Sequence, residues 1–212
     1  MTPYLKISLA VIVSYLLGSI PTAYIFGRML KGIDIRKHGS GNVGATNAFR
    51  ILGKGPGTIV LLIDVLKGAL VTSVIANFFH LNEPYYRVIL GLVAVCGHNW
   101  TIFLNFKGGK GIATSLGVLI GLTISIASIQ PVVLYTLLSW ILVFLLSGYV
   151  SLASIIASMV LPIMALFYPQ PFAVVALSVI LCVFVVFRHR PNISRLLQHK
   201  ESKVKFPWHI RK

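Results

Sequence analysis

The stretch ISLAVIVSYLLGSIPTAYIFG, Ile7 to Gly27, carries no charge and is roughly twenty residues long, the length at which a helix crosses the hydrocarbon core of a bilayer. It runs into KHGSGNVGATNAFRILGKGPG, Lys37 to Gly57, which is rich in glycine and cations and has no acid. Within that second stretch Gly39-Ser40-Gly41-Asn42-Val43-Gly44 spells the G-x-G-x-x-G of a dinucleotide turn, which requires a preceding strand in a soluble βαβ unit. An apolar helix precedes it here. A phosphate-binding loop of the Walker type fares no better, because Ala45 stands where its lysine belongs. The physics common to both motifs survives: glycines let backbone N–H groups converge on an anion, and neighbouring cations supply countercharge.

The rest of the chain repeats the pattern. It is 57% hydrophobic, with a mean hydropathy of +0.88, and its apolar runs lie near residues 7–27, 58–79, 86–104, 112–129, 131–147, 151–167 and 172–187. These predict an all-α integral membrane protein, a polytopic bundle of seven transmembrane helices, with one membrane domain over 1–212. Gln130-Pro131 predicts a tight turn between the fourth and fifth runs. Cys96 and Cys182 fall inside apolar runs and read as small hydrophobes, not as disulfide partners, ligands or nucleophiles. The first run leads straight into the glycine loop without a cleavage site, which predicts a retained helix.

Positive charge sets orientation. The loop after the first run, within 28–57, carries Arg28, Lys31, Arg36, Lys37, Arg50 and Lys54, and the loop at 105–111 carries Lys107 and Lys110. The tail, 188–212, carries Arg188, Arg190, Arg195, Lys200, Lys203, Lys205, Arg211 and Lys212, whereas the opposite loops hold only Lys6 and Arg87. This predicts an outside N-terminus and a cytoplasmic C-terminus. The net charge of +15 is then a topological signal with some attraction to anionic lipid, and no nucleic-acid partner is expected from it.

Several polar features fall on the cytoplasmic side. Lys107-Gly108-Gly109-Lys110-Gly111 opens a helix, and helix N-termini attract phosphate. Gly109 to Ser115 echoes Gly41 to Asn47, sharing a glycine, Ala-Thr and a small polar residue. Asp64 and Lys67 stand at i and i+3, close enough to pair, and Asp64 is the one acid in any apolar run. An intramembrane ion is costly; Asp64 reads as structural, Lys67 stays open. Ser151 and Ser154 share a helix face, and Arg188-His189-Arg190-Pro191-Asn192 ends the last run.

The remaining acids, Asp34, Glu83 and Glu201, lie in loops or tail, so no carboxylate pair exists for acid–base work and no cluster for a hard cation. No metal and no cofactor are expected. There is no G-x-S-x-G elbow, and no histidine has an aspartate five positions later. A cationic, glycine-lined site beside lipid leaves headgroup chemistry or the carriage of phosphate or an organic phosphate, the second being less suited to cations gathered at one face.

The motifs Gly18-Ser19-Ile20-Pro21-Thr22-Ala23, Gly39 to Asn47 with Arg50, Asp64-Val-Leu-Lys67-Gly68, Gly97-His98-Asn99 with Lys107 to Gly111, and His189 with Asn192 occur in order along the chain. In these it resembles the bacterial acyl-phosphate:glycerol-3-phosphate acyltransferases, the PlsY family. The resemblance implies a seven-helix enzyme of the bacterial inner membrane whose active site faces the cytoplasm. Such an enzyme moves a fatty acyl group from acyl phosphate to glycerol 3-phosphate in phospholipid synthesis, as a monomer or weak oligomer among lipids. By matching motif it implies Ser40, Arg50, Lys110, His189 and Asn192 as catalytic. It further implies Gly39, Gly41, Asn42, Gly44, Thr46, Asn47, Lys67, His98, Lys107, Gly108, Gly109, Gly111 and Ser151 as substrate- or phosphate-binding. The proton acceptor is open between a histidine, His98 or His189, and the phosphate of the acceptor substrate.

Overall fold

The computed structural model describes residues 2–204; Lys205, Arg211 and Lys212 of the basic tail lie outside them. Every regular element among the described residues is helical. The chain divides into two compact units, Met1–Ala127 and Ser128–Lys212.

In the first unit the opening apolar run is broken. Helix α1, Pro3–Ser19, stops at Ile20, and the chain resumes as α2, Thr22–Lys31. Pro21 offers no N–H and forces Ile20 out of the helical region, to φ −55° and ψ 114°. The carbonyls this frees are not left bare: Thr101 Oγ1 donates to Ser19 O at 2.6 Å and Lys67 Nζ to Ile20 O at 3.2 Å. The proline kink thus leaves two carbonyl acceptors, and polar side chains from distant parts of the chain converge on them.

Beyond α2 the glycine-rich stretch is not a plain loop. A 3₁₀ turn, Ile35–Lys37, leads through the glycines into helix α3, Ala45–Leu52. Ile35, Val43, Ala48 and Leu52 bury themselves with Ala23, Val60 and Leu104, so the segment has an apolar core of its own. Helix α4, Lys54–Leu70, continues through a π turn, Val71–Ile75, as far as Phe78. Helix α5 spans Pro84–Asn99 and α6 spans Ile112–Thr123.

Small residues let these helices touch. A Cβ on Gly18 of α1 would strike Ala94 O of α5, and one on Gly117 of α6 would strike Val65 O of α4. Close backbone approach of this kind is how helices associate where no water drives them together. Arg87, placed by the sequence in an outer loop, is instead 4% exposed in the first turns of α5. Its guanidinium donates to Thr72 O in the π turn at 2.9 Å and to Asn77 Oδ1 at 2.6 Å.

The second unit contains α7, Gln130–Ser147, α8, Val150–Phe167, α9, Phe172–Arg188, and α10, Arg190–Leu197. Pro131 does not make the expected turn. It sits in the first turn of α7, where a missing N–H costs nothing, and the break falls earlier, between Thr123 and Gln130. Leu134, Leu138, Leu142 and Leu146 recur every fourth residue along α7 and are all exposed. That stripe suits lipid and not water.

Each of the seven apolar runs forms helix. Among the described residues five helical segments are long and apolar enough to cross a membrane, and six if α9 and α10, bent by 58°, count as one. Helix α6, at 12 residues, extends only about 18 Å at 1.5 Å per residue, short of a core ~30 Å thick.

Candidate active site

In the first unit an ionised cluster lies within the helices. Asp64 on α4 is 1% exposed and Lys67 3%, and Lys67 Nζ meets Asp64 Oδ1 at 2.9 Å. Thr22 Oγ1 donates to the same carboxylate oxygen at 3.1 Å. Lys67 also lies 2.9 Å from His98 Nδ1. Counting Ile20 O, three acceptors surround the three N–H bonds of this ammonium. Because a lysine only donates, Nδ1 of His98 accepts, and the ring is neutral with its proton on Nε2. The structural reading of Asp64 thus has a geometry, and Lys67 proves to be its partner.

The second glycine loop closes over this cluster. Gly108 N–H donates to Asn99 O at 3.1 Å and Gly109 N–H to His98 O at 3.0 Å, so both amides cap carbonyls at the end of α5. A Cβ on Gly109 would strike His98 Nε2; the glycine is needed for close approach to the ring. Ser19, Ile20, Pro21, Val43, His98, Thr101, Gly108 and Gly109 line a narrow crevice. Gly111, at φ +80°, starts α6 with no side-chain cap. Lys110 beside it is half-buried and Lys107 exposed.

Asn47 ties the first glycine loop. Its side chain, fully buried, accepts from Ser40 N–H at 2.9 Å. Its Nδ2 lies 3.3, 3.1 and 3.0 Å from the carbonyls of Ile35, His38 and Asn42. Gly39 and Gly41 take φ +61° and +71°, a region that favours glycine. Gly41 N–H donates to His38 O at 3.1 Å. The loop is therefore fixed, with Ser40, Gly41 and Thr46 at its surface, Asn42 half-buried, Gly44 buried as the N-cap of α3, and Arg50 exposed on that helix. Below it, hydrogen bonds from the Arg36 guanidinium hold the Asp34 carboxyl down at about 2.

In the second unit Ser151 on α8, His189 at the α9–α10 bend and Asn192 on α10 are all buried. His189 Nδ1 lies 2.8 Å from Val185 O. A carbonyl only accepts, so Nδ1 of His189 carries a proton, whereas Nδ1 of His98 does not. Glu201, dismissed in the sequence as a tail residue, accepts from Ser151 Oγ at 2.8 Å, Asn192 Nδ2 at 2.6 Å and Arg195 Nε at 2.7 Å. Burial opposes its charge, but these donors outweigh burial and hold the carboxyl below its usual range. Nothing in the local sequence of the tail signals this. Among the described residues no group of three or more His, Cys, Asp or Glu is arranged to hold a metal.

Fold and site together define a multi-pass helical membrane protein with a rigid glycine loop on a short amphipathic helix and a buried ionised cluster. The family model for glycerol-3-phosphate acyltransferase matches residues 8–199. A glycerol-3-phosphate acyltransferase of Fusobacterium nucleatum is 46% identical over 197 residues, covering 92% of this chain and 97% of the relative. That of Bacillus subtilis is 41% identical over 201 residues, covering 94% and 98%. A crystal structure of PlsY, an integral membrane glycerol 3-phosphate acyltransferase, in its glycerol 3-phosphate form superposes with a TM-score of 0.85 at 37% identity, covering 97% of this chain and 99% of that one. The chain belongs to the glycerol-3-phosphate acyltransferase family.

Proposed function

We propose that this protein transfers a fatty acyl group from acyl phosphate to a hydroxyl of glycerol 3-phosphate, giving lysophosphatidic acid and inorganic phosphate. It is a membrane glycerol-3-phosphate acyltransferase of phospholipid synthesis; a carrier role is not retained. The structural observation that carries the reading is the Asn47 knot, which fixes the glycine loop with Ser40 and Gly41 outward. A connector would not need to be fixed. The match to a PlsY crystallised with glycerol 3-phosphate supports the same acceptor.

In this proposal Ser40, Arg50 and Lys110 bind phosphate with the N-terminal turns of α3 and α6. Lys107, Thr46 and Asn42 add peripheral polarity. Lys67, Asn47, Gly108 and Gly109, whose donors are engaged within the protein, position the loops instead. The attacking hydroxyl oxygen bonds to the acyl carbon, the acyl C–O bond to phosphate breaks, and the phosphate leaves with the electron pair, stabilised by cations aimed at the developing charge. The hydroxyl proton passes to the acceptor's own phosphate. His98, with its proton on Nε2, is turned the wrong way to act as base.

The proposal also retains seven spans, with α6 as a short one, the N-terminus outside and the reaction at the cytoplasmic face of a bacterial inner membrane. The test is donor choice: purified protein in detergent, given radiolabelled glycerol 3-phosphate, should form lysophosphatidate from palmitoyl phosphate and not from palmitoyl-CoA. Equal rates with both would defeat the acyl-phosphate reading.

A further inference from the structure

The apolar run that begins as α5 outlasts the helix. Helix α5 ends at Asn99, and Ile102–Leu104 form a 3₁₀ turn that leads through Asn105 and Phe106 into Lys107 and the second glycine loop. Leu104 points into the core with Ala23 and Ile35, whereas Phe103 and Phe106 are each 57% exposed and Ile102 48%. The turn is fixed by its backbone: Phe103 N–H donates to Thr101 Oγ1 at 3.2 Å, Phe106 N–H to Thr101 O at 2.9 Å and Lys107 N–H to Leu104 O at 3.1 Å. Asn105 and Phe106 take φ +53° and +59°, where a side chain crowds the following carbonyl. A bulky residue in that region is an outlier, and such backbone persists only where the surroundings hold it. Here it presents an aromatic ring outward, one residue before the Lys107–Gly111 loop.

We propose that Phe103 and Phe106 are an interfacial anchor, seated at the boundary between phospholipid headgroups and acyl chains, that holds the second glycine loop in place. The inference rests on α5 crossing the membrane and not on the identity of the substrates. Depth argues for the bilayer as the occupant. The segment both leaves from and returns to the last turn of α5: Trp100 N–H donates to Cys96 O at 2.8 Å, Gly108 N–H to Asn99 O at 3.1 Å and Gly109 N–H to His98 O at 3.0 Å. The two rings therefore stay level with the end of a membrane helix and cannot extend into bulk water. At that level apolar side chains enter the headgroup and acyl boundary. Charge agrees, since Lys107 is exposed beside them, no acid occurs between Glu83 and Glu201, and anionic headgroups attract such a cation.

The test uses the full-length protein in nanodiscs of phosphatidylethanolamine and phosphatidylglycerol, with the photocrosslinker p-benzoylphenylalanine replacing Phe103 or Phe106 and no substrate present. Irradiation should add the mass of a phospholipid at either position, as it should at exposed Leu138 on α7, and capture at exposed Lys37 should be far weaker. Capture at Leu138 but at neither phenylalanine, equal capture at Lys37 and Phe106, or a protein adduct in place of lipid would each overturn the inference. So would displacement of lipid from position 106 by added palmitoyl phosphate, which would make the patch the donor's own groove. In the same nanodiscs Phe103→Ser with Phe106→Ser should speed deuterium exchange at the Gly108 and Gly109 amides about tenfold or more, the scale of one phenylalanine no longer buried. Phe106→Leu and Asn105→Gly should match wild type. Unchanged exchange in the double variant would overturn the anchoring role even where lipid is captured. The double variant should also lose about tenfold in kcat/KM for palmitoyl phosphate. Faster exchange with full activity would leave the anchor standing and count instead against the loop's part in acyl transfer.

Discussion

Replacing Lys67 by Met tests whether this lysine supports the site or touches phosphate. The side chains are similar in length, but Asp64 would keep its charge at 1% exposure with the Thr22 hydroxyl at 3.1 Å as its remaining close donor. Removing one partner of a buried pair costs about 3 to 5 kcal/mol, because the other charge stays buried without compensation. For a chain of this size each kcal/mol moves the melting temperature by about 2 to 4 °C, so Lys67→Met should melt about 6 to 20 °C lower. The double variant Asp64→Asn with Lys67→Met removes both charges, keeps an acceptor for Thr22, and should recover most of that loss. Size-exclusion chromatography of detergent-solubilised protein after stepwise heating measures both. Kinetics at low temperature on the folded fraction supply the second half: a supporting residue should cost less than the ~10² to 10³ expected for a lost transition-state donor. An unchanged melting temperature with a rate loss of that larger size would refute the positioning role and return Lys67 to the substrate.

Lys110→Ala should lower kcat/KM by about 10² to 10³ if this cation meets developing phosphate charge, with exposed Lys203→Ala near wild type as the control. Gly41→Val should lose activity comparably, since a β-branched residue resists φ +71°, and folded variants within threefold of wild type would count against both assignments. Asn47→Ala removes the side chain that bonds Ser40, Ile35, His38 and Asn42, so protease accessibility of residues 38–44 should rise; unchanged protection would refute the knot. Asp34 has a folded pKa depressed to about 2 from an ordinary value near 3.9. Its contribution is therefore full above the unfolded value and disappears only as pH falls through about 2. Carboxyl ¹³C titration of aspartate-labelled protein, in which Asp34 and Asp64 are the only aspartates, should give one midpoint near 2, and a midpoint at or above 3.9 for Asp34 would refute the Arg36 latch.

The apolar runs were legible because a bilayer demands a long uninterrupted signal, and helix formed in every one. What the runs concealed is how kinks and glycines bend that regularity into a site. Pro21 could be read as a break, but its consequence, two freed carbonyls that recruit Thr101 and Lys67, depends on residues dozens of positions away. The Asp64–Lys67 pair was readable because helical geometry places i and i+3 together. Its link to His98, 31 positions on, belongs to tertiary packing and left no periodic trace. Glu201 is the extreme case: fifty residues separate it from Ser151, and a lone acid in a basic tail reads as solvated charge until the fold brings the donors to it. Asn47 is the converse case. A polar residue in a glycine loop looks like a ligand contact, yet an amide with both donors and an acceptor is also the side chain best able to bind several backbone groups at once. In this protein Asn47 and Lys67, whose hydrogen bonds run inward, fix the loops, and the phosphate contacts in the proposed reaction are assigned to Ser40 and Arg50, both exposed, and to the half-buried Lys110.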